Sequence, residues 1–272
     1  MIKTCFPQRR PDSPRSRLKS SGTGALQVDM LEMRGAAIAP LKRSKPVNGI
    51  RRSIAAPLAD LRSASSHTSP LFAGFSELVS ASFSFSAGSE IFGEGEEASF
   101  VYKLVKGAVR VGKTLSDGQR HISSFHLPGE VFGFERTATH RMGAEAIEDS
   151  QVLMFRRPQV ERLIARELSA SHQMLGIFAD KLEDAEIHMF RLGRQSALQR
   201  VAAFLLEMEG RLGRRGLFEL PMSRRDIGDY LGLSIETVSR AISQLHGRNA
   251  LDRREPRRLL LDQNKMDAMV EH

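Results

Sequence analysis

A chain of 272 residues, 41% of them hydrophobic, is long and apolar enough for two ordinary domain cores. No apolar run approaches the ~20 residues of a membrane-spanning helix, and the single cysteine, Cys5, excludes an intramolecular disulfide or an all-cysteine metal or Fe–S cluster within one chain. The net charge of +8 is unevenly spread: residues 1–62 carry 13 basic against 4 acidic residues, residues 63–193 carry 13 against 17, and residues 194–272 carry 14 against 11. The basic excess therefore sits in the N-terminal tail, and only the C-terminal part has the mildly positive balance of a surface that faces nucleic acid.

Residues 1–65 are rich in Pro, Ser and Arg and poor in aromatics. Such composition buries too little surface to offset ordering entropy, so a disordered basic tail is expected. It has no secretory apolar region, which together with the missing membrane span points to a soluble, cytoplasmic protein. Residues 66–157 then switch to short apolar runs with frequent glycines. Phe83 and Phe85 alternate with serines, Phe100–Val105 and Ala108–Val111 read as strands, and Ser116-Asp117-Gly118-Gln119 is a hairpin turn. His121–Phe125 returns from that turn, Pro128-Gly129-Glu130 turns again, and Ala144–Phe155 supplies the last strands. Regularly spaced short strands predict an antiparallel roll of jelly-roll type.

Residues 158–193 read as helical. Leu168 is followed by Leu175, Phe178, Leu182, Ala185, Met189 and Leu192, which alternate three- and four-residue steps over about two and a half heptads. Either this face packs on the chain's own barrel, or it pairs with a second copy as a dimer helix. The second choice suits a C-terminal DNA-reading module, because paired reading helices one DNA turn apart read palindromes.

Residues 194–272 predict such a module, a winged helix. A short helix from about Ser223 to Leu231 is capped by an S-x-x-D pair, Ser223 and Asp226, and breaks at Gly232. A second helix starts after Ser234. Ile227, Leu231, Leu233, Val238, Ile242 and Leu245 fit the apolar face between the two. Glu236, Ser239 and Arg240 are left on one exposed side near the start of the second helix. Arginine can donate twice to guanine O6 and N7, glutamate accepts from cytosine N4, and serine is versatile, so these three are the expected base readers. A strand at Leu217–Pro221 precedes the motif, and strands at Leu251–Glu255 and Leu259–Asp262 come after it. Arg253, Arg254, Arg257 and Arg258 on that hairpin, with Ser223 and Thr237, are the expected contacts to the DNA backbone.

The segments GSEIFGEGEEASFVYKLVKGAVRV, FHLPGEVFGFE, HRMGAEAIED, ALQRVAAFLLEM and LPMSRRDIGDYLGLSIETVSRAISQLH resemble the Crp/Fnr superfamily of bacterial transcription regulators, and its FixK-type branch most. The resemblance implies an α+β chain: a cyclic-nucleotide-binding-type β-roll, a long dimerisation helix and a C-terminal winged helix-turn-helix. It implies a regulator, mainly an activator, of low-oxygen respiration and nitrogen-fixation or denitrification genes. The regulator would act as a homodimer with RNA polymerase on double-stranded DNA, without enzymatic activity. The E-x-x-S-R of Glu236, Ser239 and Arg240 matches the Fnr-type reading residues and implies a palindrome TTGAT-N4-ATCAA. Arg240 would take the guanine, Glu236 the neighbouring base pairs and Ser239 the outer thymine.

Two departures bear on the signal. Fnr holds a [4Fe–4S] cluster with four cysteines, and this chain has Cys5 alone. Cyclic-nucleotide members place an Arg-Ser pair beside the cyclic phosphate, where this chain has His140 and Arg141. The expectation is a regulator with no cofactor and no metal. The alternatives are a member that senses a cyclic nucleotide or a haem-bound gas, or a cupin-like metal protein using His121, His126 and Glu130. In the plainest reading those histidines are surface or hydrogen-bonded strand residues.

Overall fold

The computed structural model describes residues 79–212, 217–254 and 257–270. The tail expected at 1–65 and Cys5 lie outside them. Eight strands form two four-stranded antiparallel sheets. One has the order β1 (Val79–Phe85), β8 (Ser150–Arg156), β3 (Phe100–Lys106), β6 (Val131–Phe132). The other runs β2 (Glu90–Phe92), β7 (Gly143–Ala146), β4 (Val109–Thr114), β5 (Arg120–His126). The turn read at 116–119 joins β4 to β5, closed by the Leu115 N–H donating to the Gln119 carbonyl. Alternation along each strand sends Phe85, Phe92, Tyr102, Leu104, Phe132 and Val152 into the space between the sheets.

The helical stretch after the roll is two helices, α1 (Arg157–Arg166) and α2 (Leu168–Arg194), with Glu167 extended between them. Pro158 sits in the first turn of α1, where its missing N–H costs nothing. At the other end the Glu167 N–H donates to the Leu163 carbonyl and the Ser171 hydroxyl to the Ile164 carbonyl. Those bonds satisfy carbonyls that a helix end leaves open. The bend lets Val160, Ala170 and Met174 bury together against Val101, Val131 and Phe155 of the roll.

α3 (Ala197–Arg211) starts on a capping box of Ser196 and Gln199 and buries Val201, Ala202, Phe204, Leu205 and Met208. Around it pack α4 (Arg224–Leu231), α5 (Ile235–Gly247) and a C-terminal helix, α6 (Gln263–Val270), which the residue pattern alone does not announce. A three-stranded sheet in the order β10 (Leu251–Arg253), β11 (Arg258–Leu261), β9 (Leu217–Glu219) completes the winged helix. Its apolar core is continuous with Ile122, Phe125 and Leu127 of the roll.

Candidate nucleic-acid interface

Local chemistry shapes the helix-turn-helix. The Ser223 hydroxyl accepts from the Asp226 N–H while the Asp226 carboxylate accepts from the Ser223 N–H and hydroxyl, the reciprocal box read from S-x-x-D. Gly232 ends α4 in the left-handed region, φ 64°, which a side chain resists. Gly228 lets the helices approach: a Cβ there would lie 2.5 Å from the Leu233 carbonyl oxygen. Ser234 caps α5 by accepting from the Thr237 N–H. Val238, Ala241, Ile242 and Leu245 face inward, with Ile227 and Leu231 of α4 equally buried and Leu233 half-buried.

Glu236 and Arg240 are exposed on the outer face of α5, and Ser239 is half-buried between them. The Glu236 carboxyl is held below its ordinary range by its own backbone N–H, the Ser234 hydroxyl and the Arg240 charge, so it stands ready as an acceptor. Arg240 Nη2 donates to Thr237 Oγ1 at 3.4 Å, and Arg224 Nη1 donates to Ser239 Oγ at 3.1 Å. Sequence reasoning missed Arg224. Its signal was two arginines, Arg224 and Arg225, opening a helix whose positive end disfavours them, which calls for an outside reason.

The expected backbone contacts are more scattered. Ser223 and Thr237 both spend their hydroxyls on the caps just described. Arg254 pairs with Asp252 at 2.9 Å, Arg258 lies 4.0 Å from Glu219, and Arg257 is exposed. The side chain of Arg253 lies outside the described residues.

The helical seam is a bare apolar stripe. Leu168, Leu175, Phe178, Leu182 and Met189 are all exposed, Leu182 at 60%, and Ala185 lies among them; Leu192 is half-buried. Phe190, at 63%, and Ile187 are further exposed apolar groups on α2 that the heptad pattern did not include. No described helix is long and apolar enough to cross a membrane.

Comparison with known proteins agrees with this arrangement. The cyclic nucleotide-binding domain family matches residues 82–167, and the Crp-like helix-turn-helix domain family matches residues 199–269. The nitrogen fixation regulation protein FixK of Rhizobium meliloti (strain 1021) is 42% identical over 171 residues, covering 62% of this chain and 77% of that protein. The chain belongs to the Crp/Fnr family of transcription regulators, in its FixK-type branch. Its FixK relative in Bradyrhizobium diazoefficiens is 36% identical over 190 residues, covering 68% of this chain and 80% of that protein. The structure of FixK2 from Bradyrhizobium japonicum superposes with a TM-score of 0.68 at 47% identity, covering 71% of this chain and 98% of that one.

A cyclic nucleotide, the ligand that the roll family's description implies, does not fit the residues present. His140 turns inward and its ring stacks on Phe92, centroids 3.7 Å apart, within an aromatic cluster that includes Tyr102 and Phe132. The site of the expected phosphate-binding arginine is thus occupied by a buried ring, which burial keeps below its ordinary pKa and so uncharged. Arg141 points away: it is 74% exposed and donates to Glu135.

His121 and His126 stand five residues apart on β5, but a β-bulge between Ile122 and Ser124 cancels the odd spacing. They pair with Lys113 and Val109 on one face of the sheet, ~13 Å apart along the strand, with His121 exposed toward the turn and His126 buried. His126 hydrogen-bonds Ser124, lies 3.5 Å from Glu130 and stacks its ring on Phe132. Burial alone would raise the Glu130 carboxyl, but His126 and the Arg211 charge outweigh it and hold it at about 2. Among the described residues no group of three or more His, Cys, Asp or Glu could hold a metal.

Sequence reasoning also missed how the reading head is fastened to the roll. Asp226, the capping carboxylate of α4, is 3% exposed and accepts from Arg110 at 3.1 Å and Arg120 at 2.6 Å, both from the β4–β5 hairpin. Arg120 also bonds Asp229, and Arg110 pairs with Glu145. Beside them Tyr230 of α4 stacks on His188 of α2 and packs against Phe125 of the roll and Phe204 of α3.

Proposed function

We propose that the chain is a homodimeric transcription regulator, mainly an activator, that reads the palindrome TTGAT-N4-ATCAA through Glu236, Ser239 and Arg240. The genes it serves are those of low-oxygen respiration and of nitrogen fixation or denitrification, and RNA polymerase is its partner there. The observation that carries this reading is the first turns of α5, which hold an acceptor, a hydroxyl and a guanidinium on one outward face, fixed by Ser234, Thr237 and Arg224. Such a set at the N-terminal end of a recognition helix is what the major groove can accept. The names of the FixK relatives support the nitrogen-fixation assignment.

The dimer rests on α2. An exposed stripe of leucine, phenylalanine and methionine is costly in water and is covered when a second α2 lies along it, each large side chain contributing about 1.5–3 kcal/mol on full burial. The wing arginines and the α4 N-terminus then attract phosphate without reading sequence. The regulator works without a four-cysteine cluster, since its sequence has Cys5 alone, and without cyclic nucleotide, since His140 stacks among the rings inside the roll.

A band-shift titration of the full chain on the palindrome, with the stoichiometry measured by analytical ultracentrifugation, tests this reading. Two chains per site are expected, with binding lost when either half-site is scrambled. One chain per site, or equal affinity for the scrambled duplex, would overturn it.

A further inference from the structure

Beside the roll, the loop 133–138 stands away from α1 and the start of α2 and leaves a cavity of about 370 Å³. Its deep wall is apolar: Val101 of β3, Phe134 of the loop, Val160 and Ile164 of α1, Met174 and Phe178 of α2. A larger cleft of about 770 Å³ adjoins it, sharing Arg136, Arg157 and Glu161 and adding Arg156 and Arg162. The two spaces together have one greasy end and one cationic end.

The charges are not neutralised within the fold. Arg157 Nε donates to Glu161 at 2.8 Å and its Nη1 to the Thr137 carbonyl, so that pair is closed and rigid. The exposed Arg136 and Arg156 make no side-chain hydrogen bond or ion pair among the described residues. Four guanidiniums thus face three carboxylates across the two spaces, Glu97, Glu135 and Glu161, of which Glu161 is already paired with Arg157 and Glu135 with Arg141. Guanidiniums present planar, fork-shaped donors that fit a carboxylate. Apolar cavities of a few hundred Å³ with a small number of placed polar groups are the usual form of small-molecule sites.

We propose that this cleft binds a small amphipathic carboxylate, with its chain between Val160, Met174 and Phe134 and its head on Arg136 and Arg156. The site is separate from the interior of the roll, which His140 and its aromatic neighbours fill. It touches the loop 133–138, the helix α1 and the foot of α2, so a bound ligand bears on the helix whose exposed stripe is the proposed dimer contact. Binding there is independent of which DNA sequence is read.

The test uses the full-length protein with decanoate as the probe, below its micelle concentration, and decan-1-ol and acetate as controls. Saturable binding of decanoate by calorimetry, with a raised melting temperature, is expected, and neither control should match it. Arg136→Glu should weaken decanoate at least tenfold, and Ile164→Trp, which fills the cavity, should abolish binding. Arg136→Glu lies on the surface and should keep the band shift on DNA, so it carries the test even where the tryptophan variant folds poorly. No binding of decanoate would overturn the proposal. Equal binding of decan-1-ol, or decanoate binding unchanged by Arg136→Glu, would show a bare apolar surface, such as one covered by a second copy, and would overturn it equally.

Discussion

The reading head and the interior of the roll treat their polar groups in opposite ways. On α5 the chain holds Glu236 and Arg240 out toward solvent, and the bonds around them fix their directions without neutralising them. In the roll it turns His140 and His126 inward and packs both against rings: Phe92 at 3.7 Å for His140 and Phe132 at 5.0 Å for His126. The head holds its donors and acceptors at solvent, where a partner can reach them, whereas both ring nitrogens of His140 are buried without a hydrogen bond among the described residues. A site packed with its own side chains has become core, as the interior of the roll has.

The largest effect is expected where the two regions are joined. Asp226→Ala removes a capping carboxylate and leaves Arg110 with Glu145 alone and Arg120 with Asp229 alone. The loss should be about 2–4 kcal/mol, a lost cap together with charge-assisted bonds to a buried carboxylate, read as a lowered denaturant midpoint of the full chain. A loss under about 1 kcal/mol, the range of an exposed pair, would show that the head is not held by this carboxylate. Next comes Gly228→Ala, whose Cβ meets the Leu233 carbonyl oxygen at 2.5 Å. Overpacking of this kind costs about 1–3 kcal/mol and should weaken DNA binding with it, since α4 and α5 must separate. Wild-type stability in this variant would mean that the turn has room to spare.

Smaller effects should appear with pH. Glu130 is held at about 2 against an ordinary 4.5. A carboxylate depressed on folding contributes stability that is fully present above its unfolded pKa and is lost as pH falls through that range. Thermal melts between about pH 5 and 2 should therefore show an acid limb that Glu130→Gln flattens. His140 is lowered by burial, so its contribution is present above the ordinary value of 6.5 and is lost as pH falls below it. His140→Phe should flatten that limb. A protein that gained stability on acidification through this range would contradict the packed, neutral state of the roll.

The head was legible in the sequence because its determinants are local. Caps at Ser223 and Ser234, the break at Gly232 and the apolar spacing of α4 and α5 all lie within a few residues of what they control. The turns of the roll were legible for the same reason, whereas its sheet order was not, since β1 pairs with β8 about seventy residues away. The fastening of head to roll was invisible: Arg110 and Asp226 are 116 residues apart, and nothing in either neighbourhood calls for the other. The break at Glu167 escaped because the seam at 175–192 holds its period, and only the bonds closing α1 show where one helix ends. The H-x4-H-x3-E pattern misled by ignoring distance along the strand: His121 pairs with Lys113 and His126 with Val109, ~13 Å apart at the rise of an extended chain.

The central claim is that the outward face of α5 reads sequence, and Arg240→Ala tests it most directly. Affinities of the wild type and the variant should be compared by band shift, at one salt concentration, on TTGAT-N4-ATCAA, on the same duplex with its guanines replaced, and on random DNA. A loss of about 1–3 kcal/mol per half-site is expected on the palindrome. Little change is expected on random DNA, and the variant should no longer distinguish the replaced guanine. An equal loss on all three duplexes would make Arg240 a phosphate contact and contradict the account.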